Sequence, residues 1–139
     1  MKPLVYAFLS CISIVFSSNN ALAESVSGES ILCKNKNLIT AIAFSTSKYN
    51  IAICKEFGDA YHYIGQDKRS NAQVFLPIKV RNSRYRENPW LLKARNGEFT
   101  YQVAEFNPFR KNAYVSISIF KNGNRIYHDI ANKFIGLEE

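Results

Sequence analysis

The chain has 139 residues, 47% of them hydrophobic and 14% aromatic, with 18 basic against 11 acidic side chains and a formal net charge of +7. That length accommodates one ordinary domain and argues against two, because each half would approach the size at which a core is marginal without cross-links or metals. The apolar and aromatic content excludes an intrinsically disordered chain.

Residues 1–23 read as an export signal. Lys2 supplies a positive start, residues 4–16 an apolar run, and Ala21-Leu22-Ala23 a small-residue cleavage site before Glu24. The apolar run is about 13 residues where a membrane-spanning helix needs roughly 20, and no later segment comes near that length. The expectation is an exported protein, periplasmic or extracellular, with no transmembrane segment. A lipid-attached form cut before Cys11 is the alternative, on the faint lipidation pattern Phe8-Leu9-Ser10-Cys11. Cleavage after Ala23 leaves 116 residues with 17 basic and 11 acidic side chains, a net +6.

Residues 24–30 are polar and read as a flexible start, and residues 31–139 read as a single β domain. Two cysteines remain in it, Cys33 and Cys54, an even number suited to an oxidising compartment. Pairing them closes a loop of about 20 residues and contributes about 3 kcal/mol in the chain-entropy treatment. With no CxxC and no histidine near either thiol, the pair points to a disulfide and to no metal.

No stretch after residue 24 sustains a helical period, whereas β-branched and aromatic residues recur in short runs between turn formers. The runs are 38–44, 49–55, 60–65, 73–80, 90–95, 98–105, 113–120 and 125–130. The fold class that follows is all-β: an antiparallel meander of about eight strands, closed or partly closed into a small barrel, with a β-sandwich as the alternative.

Between and within the middle strands lies the concentrated charge. Residues 79–95 hold Lys79, Arg81, Arg84, Arg86, Lys93 and Arg95 against Glu87 alone, with Tyr85 and Trp90 interleaved and Arg110-Lys111 as an extension from another loop. Arginine forks grip carboxylate or phosphate, and an arginine beside an aromatic also stacks on a ring. The bland reading is a solvated loop that aids solubility.

Two Asn-Gly turns fix registers by the geometry of two-residue hairpins. Around Asn96-Gly97 the count opposes Ala94 to Phe99, Leu92 to Tyr101 and Trp90 to Val103. Around Asn122-Gly123 it opposes Ile119 to Ile126, Ile117 to His128 and Val115 to Ile130. Both give one apolar and one polar face, and the second puts His128 on the buried face. His62, between Tyr61 and Tyr63, is expected to face outward.

The stretches Asn50-Ile51-Ala52-Ile53-Cys54, Tyr63-Ile64-Gly65 with Lys68 behind it, and Ala94-Arg95-Asn96-Gly97 followed by Tyr101 resemble those of small exported cyanobacterial proteins of unassigned function. The resemblance covers most of residues 31–130. It implies an exported β domain and transfers no catalytic residue.

Catalysis finds little stock here: two histidines, scattered carboxylates, and no nucleophile elbow, phosphate loop or zinc-ligand spacing. The expectation is therefore no enzyme, no cofactor and no metal. It is a noncatalytic module binding an anionic partner through Lys79, Arg81, Arg84, Tyr85, Arg86, Lys93 and Arg95. The partners that fit outside the cytoplasm are an acidic glycan, lipopolysaccharide, an anionic membrane surface or an acidic protein, with nucleic acid ranked low. A proteinaceous inhibitor of a secreted hydrolase is the alternative on fold analogy, and a small-ligand carrier using the barrel interior ranks third.

Overall fold

The computed structural model describes residues 28–137, so the export signal, the Cys11 alternative and residues 24–27 lie outside the described residues. Within them the chain forms α1 (Ile31–Lys34), β1 (Ile39–Ser45), β2 (Tyr49–Lys55), β3 (Tyr61–Asp67), β4 (Gln73–Arg81), β5 (Trp90–Asn96), β6 (Phe99–Phe106), β7 (Tyr114–Lys121), β8 (Asn124–Ala131) and β9 (Ile135–Gly136). All eight expected runs are strands, with ends within two residues of those read from the sequence. The short β9 and the helix were not expected.

The strands make one continuous antiparallel sheet in the order β9-β1-β2-β3-β4-β5-β6-β7-β8, which rules out the two packed sheets of a sandwich. It curls into a partly closed barrel. Bulges at Ala41, Lys79 and Ile126 each set one extra residue against the partner strand, which sharpens the local bend and twist. The last stretch of chain changes partners, since β8 pairs with β7 and β9, a few residues on, pairs with β1. Across that seam the Tyr127 hydroxyl donates to Thr46 Oγ1 at 2.9 Å, and the Tyr127 ring meets Tyr49 edge-on at 5.1 Å.

The inner face buries Ile42, Phe44, Ile51, Ile53, Tyr63, Trp90, Leu92, Val103, Val115 and Ile117 in one cluster. A second, smaller cluster sits on the outside of β1–β3, where Leu32 and Cys33 of α1 cover Ala43, Ala52, Cys54 and Ile64. This double burial explains why 39–45 and 49–55 read as nearly unbroken apolar runs, while β4, covered on one face, alternates. Ser30 caps α1 by accepting from Leu32 N, and its own N–H donates to Thr40 Oγ1 at 2.7 Å. The ordered domain thus takes in Ser30, which the sequence reading assigned to the flexible start. The disulfide Cys33–Cys54 pins the helix to β2.

Tyr63 lies flat over Gly65, where a Cβ would come 2.5 Å from the phenol oxygen. Burial holds the Tyr63 hydroxyl far above the usual tyrosine range, with neighbouring Tyr101 and Tyr49 adding to the shift.

The Asn96-Gly97 hairpin pairs Asn96 with Phe99, Ala94 with Tyr101, Leu92 with Val103 and Trp90 with Glu105. This is two residues away from the expected register. Gly97 (φ 62°) takes the first central position and Glu98 the second, so glycine alone meets the left-handed requirement. An even shift keeps every side chain on its expected face. It also sets Glu105 opposite Trp90.

The Asn122-Gly123 hairpin starts in the expected register, with Lys121 opposite Asn124 and Phe120 opposite Arg125, both central residues having positive φ. The bulge at Ile126 then slips the pairing by one, giving Ile119–Tyr127, Ser118–His128 and Ile117–Asp129. The remaining side chains of β8 turn over. His128 is therefore not buried opposite Ile117; it is exposed on the outer face, with Nδ1 2.9 Å from Ser118 Oγ. Ile126 and Ile130 are exposed too, and Tyr127 takes the inner place at the seam.

Candidate functional site

In an antiparallel meander successive connections fall at opposite ends. One end carries the turns 46–48, 68–72, 97–98 and 122–123, which contain no hydrophobic residue larger than alanine. The other carries loops 56–60, 82–89 and 107–113 and the connection 132–134 that leaves β8. The candidate site is this loop end.

Loop 82–89 is held down by side chains that imitate strand pairing. Leu91 N donates to Asn82 Oδ1 at 2.7 Å, and Asn82 Nδ2 donates to Pro89 O at 3.0 Å. Ser83 N donates to Glu87 Oε1 at 3.1 Å while Glu87 N donates to Ser83 O at 3.0 Å. The loop is joined to 107–113 by a reciprocal amide pair, Asn107 N to Asn88 Oδ1 at 2.8 Å and Asn88 Nδ2 to Asn107 Oδ1 at 2.9 Å. It is joined to 56–60 by Arg81, which donates to Asp59 O at 3.3 Å and lies over the Tyr61 ring at 4.8 Å. Three separate loops thus form one surface.

The sequence cluster divides into two regions and one buried ion pair. Arg84 turns inward. Its Nε and Nη2 donate to the two oxygens of Glu105 at 2.7 and 2.9 Å, with only 9% and 2% of the two side chains exposed. The guanidinium lies 5.3 Å from the Trp90 ring and 4.4 Å from the Phe109 ring. Glu105 is an acid on the inner face and Arg84 is its counter-charge, so Arg84 is not free to meet an outside anion. Lys93 and Arg95 lie on the outer wall away from the loops, in rows that run Lys93–Gln102–Ser118–His128 and Arg95–Thr100–Phe120–Arg125. Arg95 Nε donates to Gly97 O, and Lys79 is the exposed bulge residue of β4.

Of the predicted residues, Arg81, Tyr85 and Arg86 stay together at the loop end. There they meet Arg110 and Lys111, which the sequence reading treated only as an extension. The join is a stack of Tyr85 on Phe109 at 5.4 Å. Phe109 holds a left-handed backbone (φ 70°), an uncommon conformation for a bulky residue, between Tyr85 and the Arg84 guanidinium. Beside Phe109 opens a cleft of about 500 Å³ lined also by Arg84, Glu105, Arg110, Ala113 and Phe134. Among the described residues Arg86, Arg110 and Lys111 make no ion pair, and Tyr85 is 79% exposed.

His62 sits on the outer face as expected, beneath Phe75 in a parallel stack at 4.9 Å, with Nδ1 3.5 Å from Glu56 Oε2. Lys36 caps the same Phe75 ring at 4.8 Å. Among the described residues no group of three His, Cys, Asp or Glu side chains gathers as a metal site, and no helix is long and apolar enough to cross a membrane.

The stacked aromatic pair and three cations with no ion pair among the described residues can do two things: offer a flat apolar face to a ring, and offer charge to an anion beside it. No protein-family model, no curated protein and no solved structure matches this chain.

Proposed function

We propose that this chain is an exported, noncatalytic β-barrel module that binds an anionic partner of the cell envelope or exterior through its loop end. The observation that carries the reading is the Tyr85–Phe109 stack set among Arg86, Arg110 and Lys111. A noncatalytic role is supported by the state of the converging polar groups, since Arg84 and Glu105 neutralise each other instead of facing solvent. Export is supported by the pattern of residues 1–23 and suits the disulfide Cys33–Cys54.

Capture on immobilised polygalacturonate, an acidic glycan, at low and at high salt tests the reading. Binding is expected at low salt and lost at high salt, because contacts among exposed charges are screened. The triple variant Arg86→Ser, Arg110→Ser, Lys111→Ser is expected to lose capture while keeping its unfolding midpoint, since among the described residues none of the three is in an ion pair. Capture by this variant equal to that of the parent would remove the loop end from consideration.

A further inference from the structure

The two ends of the barrel differ in a way that charge alone does not explain. All four turns at one end are polar, whereas three of the four connections at the other lift a large aromatic into solvent: Phe57 is 96% exposed, Tyr85 79% and Phe109 41%. On the outer wall exposed apolar residues lie toward both ends, Ile39, Val80 and Ile130 nearer the loops and Phe75 and Ile126 nearer the turns, so it is the three aromatic tips that set the loop end apart. Hydrophobic side chains scattered singly over a surface need no explanation, but their gathering at one pole marks an interaction surface.

The tips are also firmly held. Glu56 N donates to Ala60 O at 3.0 Å across the Phe57 loop, Gly58 supplies the left-handed residue (φ 92°), and disulfide-bonded Cys54 lies three residues before Phe57. Arg81 ties that loop to the end of β4, where loop 82–89 begins, and the Tyr85–Phe109 stack ties 82–89 to 107–113. Around the aromatics, Lys55, Arg81, Arg86, Arg110 and Lys111 outnumber Glu56, Asp59 and Glu87. Two of these acids have local partners, Glu56 facing His62 and Glu87 folded back on Ser83 N.

Resting on the reading of the loop end as an anion-binding surface, we infer that its partner is an anionic bilayer, on which the barrel docks end-on. Aromatic rings favour the headgroup boundary, and the basic residues behind them meet lipid phosphates. Affinity then rises with both the apolar area buried and the negative surface charge. A flat glycan would use the Tyr85–Phe109 face but leaves Phe57, on a different loop, without a role. A bilayer is broad enough to take all three tips at once.

The test places a reporter at each pole of the full chain. Phe57→Trp and Tyr85→Trp stand at the loop end and Ser70→Trp at the turn end; native Trp90, 2% exposed, is a constant background. Each variant is mixed with vesicles of phosphatidylcholine alone or with phosphatidylglycerol, some carrying brominated lipid as quencher. Because all variants share residues 1–27, position-specific quenching reports the tips and not the amino end. The expected result is a blue shift and quenching at positions 57 and 85 with phosphatidylglycerol vesicles, and neither at position 70. Phe57→Ser should lower partitioning about tenfold and leave polygalacturonate capture unchanged. Unshifted emission at positions 57 and 85, or equal quenching at 70, overturns bilayer docking. If polygalacturonate is still captured in that case, anion binding stands and the partner is a glycan; if neither is bound, both readings fall.

Discussion

Glu105 is the one carboxylate buried on the inner face of the described barrel, and a bidentate arginine from a loop 21 positions earlier in the chain answers it. Burying two charges is costly, and their mutual attraction offsets that only with good geometry; removing one partner alone leaves an uncompensated charge in an apolar place. Arg84→Ala should therefore destabilise the protein by about 3–5 kcal/mol, and Glu105→Leu in the same chain with Arg84→Met should recover most of the loss. Urea unfolding of the single and double variants measures both, and a wild-type midpoint for Arg84→Ala would show that the pair contributes nothing. Pairing with Glu105 sets Arg84 apart from the other cations of residues 79–95. Its charge is visible in the sequence, but its partner lies on another strand, and no local pattern connects the two.

Elements were legible wherever a local rule sufficed. β-branched and aromatic runs located eight strands, and an even register error at Gly97 left the faces intact. The helix α1 carried no such signal, because four residues cannot show a period and cannot hold a helix alone; the Ser30 cap, buried Leu32 and the disulfide keep it in place. The bulge at Ile126 was hidden for the opposite reason. Ile126, His128 and Ile130 alternate well enough to pass for a buried face, and the competing claim comes from outside the hairpin, where Tyr127 reaches Thr46 and Tyr49 to close the seam. The two registers make opposite predictions. In the observed one, Tyr127→Ala should cost about 2–4 kcal/mol and His128→Ala within about 1 kcal/mol, as for a packed aromatic against an exposed side chain. Thermal unfolding of the two variants decides, and a larger loss at His128 would restore the unbulged hairpin. The same non-local logic governs the candidate site. The count of cations was legible, but the loop carrying Arg86 and the loop carrying Arg110 and Lys111 are joined by the stack of Tyr85 on Phe109, residues far apart in the chain.

Two devices secure β1 in the partly closed barrel. On one side β9 hydrogen-bonds to it, joining the last strand to the first; on its outer face α1 is clamped across β1 and β2 by Cys33–Cys54. A barrel of this size has a limited core, so a cross-link spanning 21 positions is a substantial share of its stability, about 3 kcal/mol in the chain-entropy treatment. That stabilisation acts mainly on the unfolded chain, whereas the helix depends on the bond in the folded state as well. Two consequences can be separated. Reduction, or the paired change Cys33→Ala with Cys54→Ala, should lower the urea midpoint by an amount equivalent to about 3 kcal/mol. Hydrogen exchange on the reduced protein should then show the amides of Lys34 and Asn35 exchanging early while Ile117 and Val103, on strands buried far from the helix, keep protection close to the global limit. Uniform loss of protection over both sets would mean that helix and barrel unfold as one unit. An unchanged midpoint would mean that the second core, not the bond, holds the helix down.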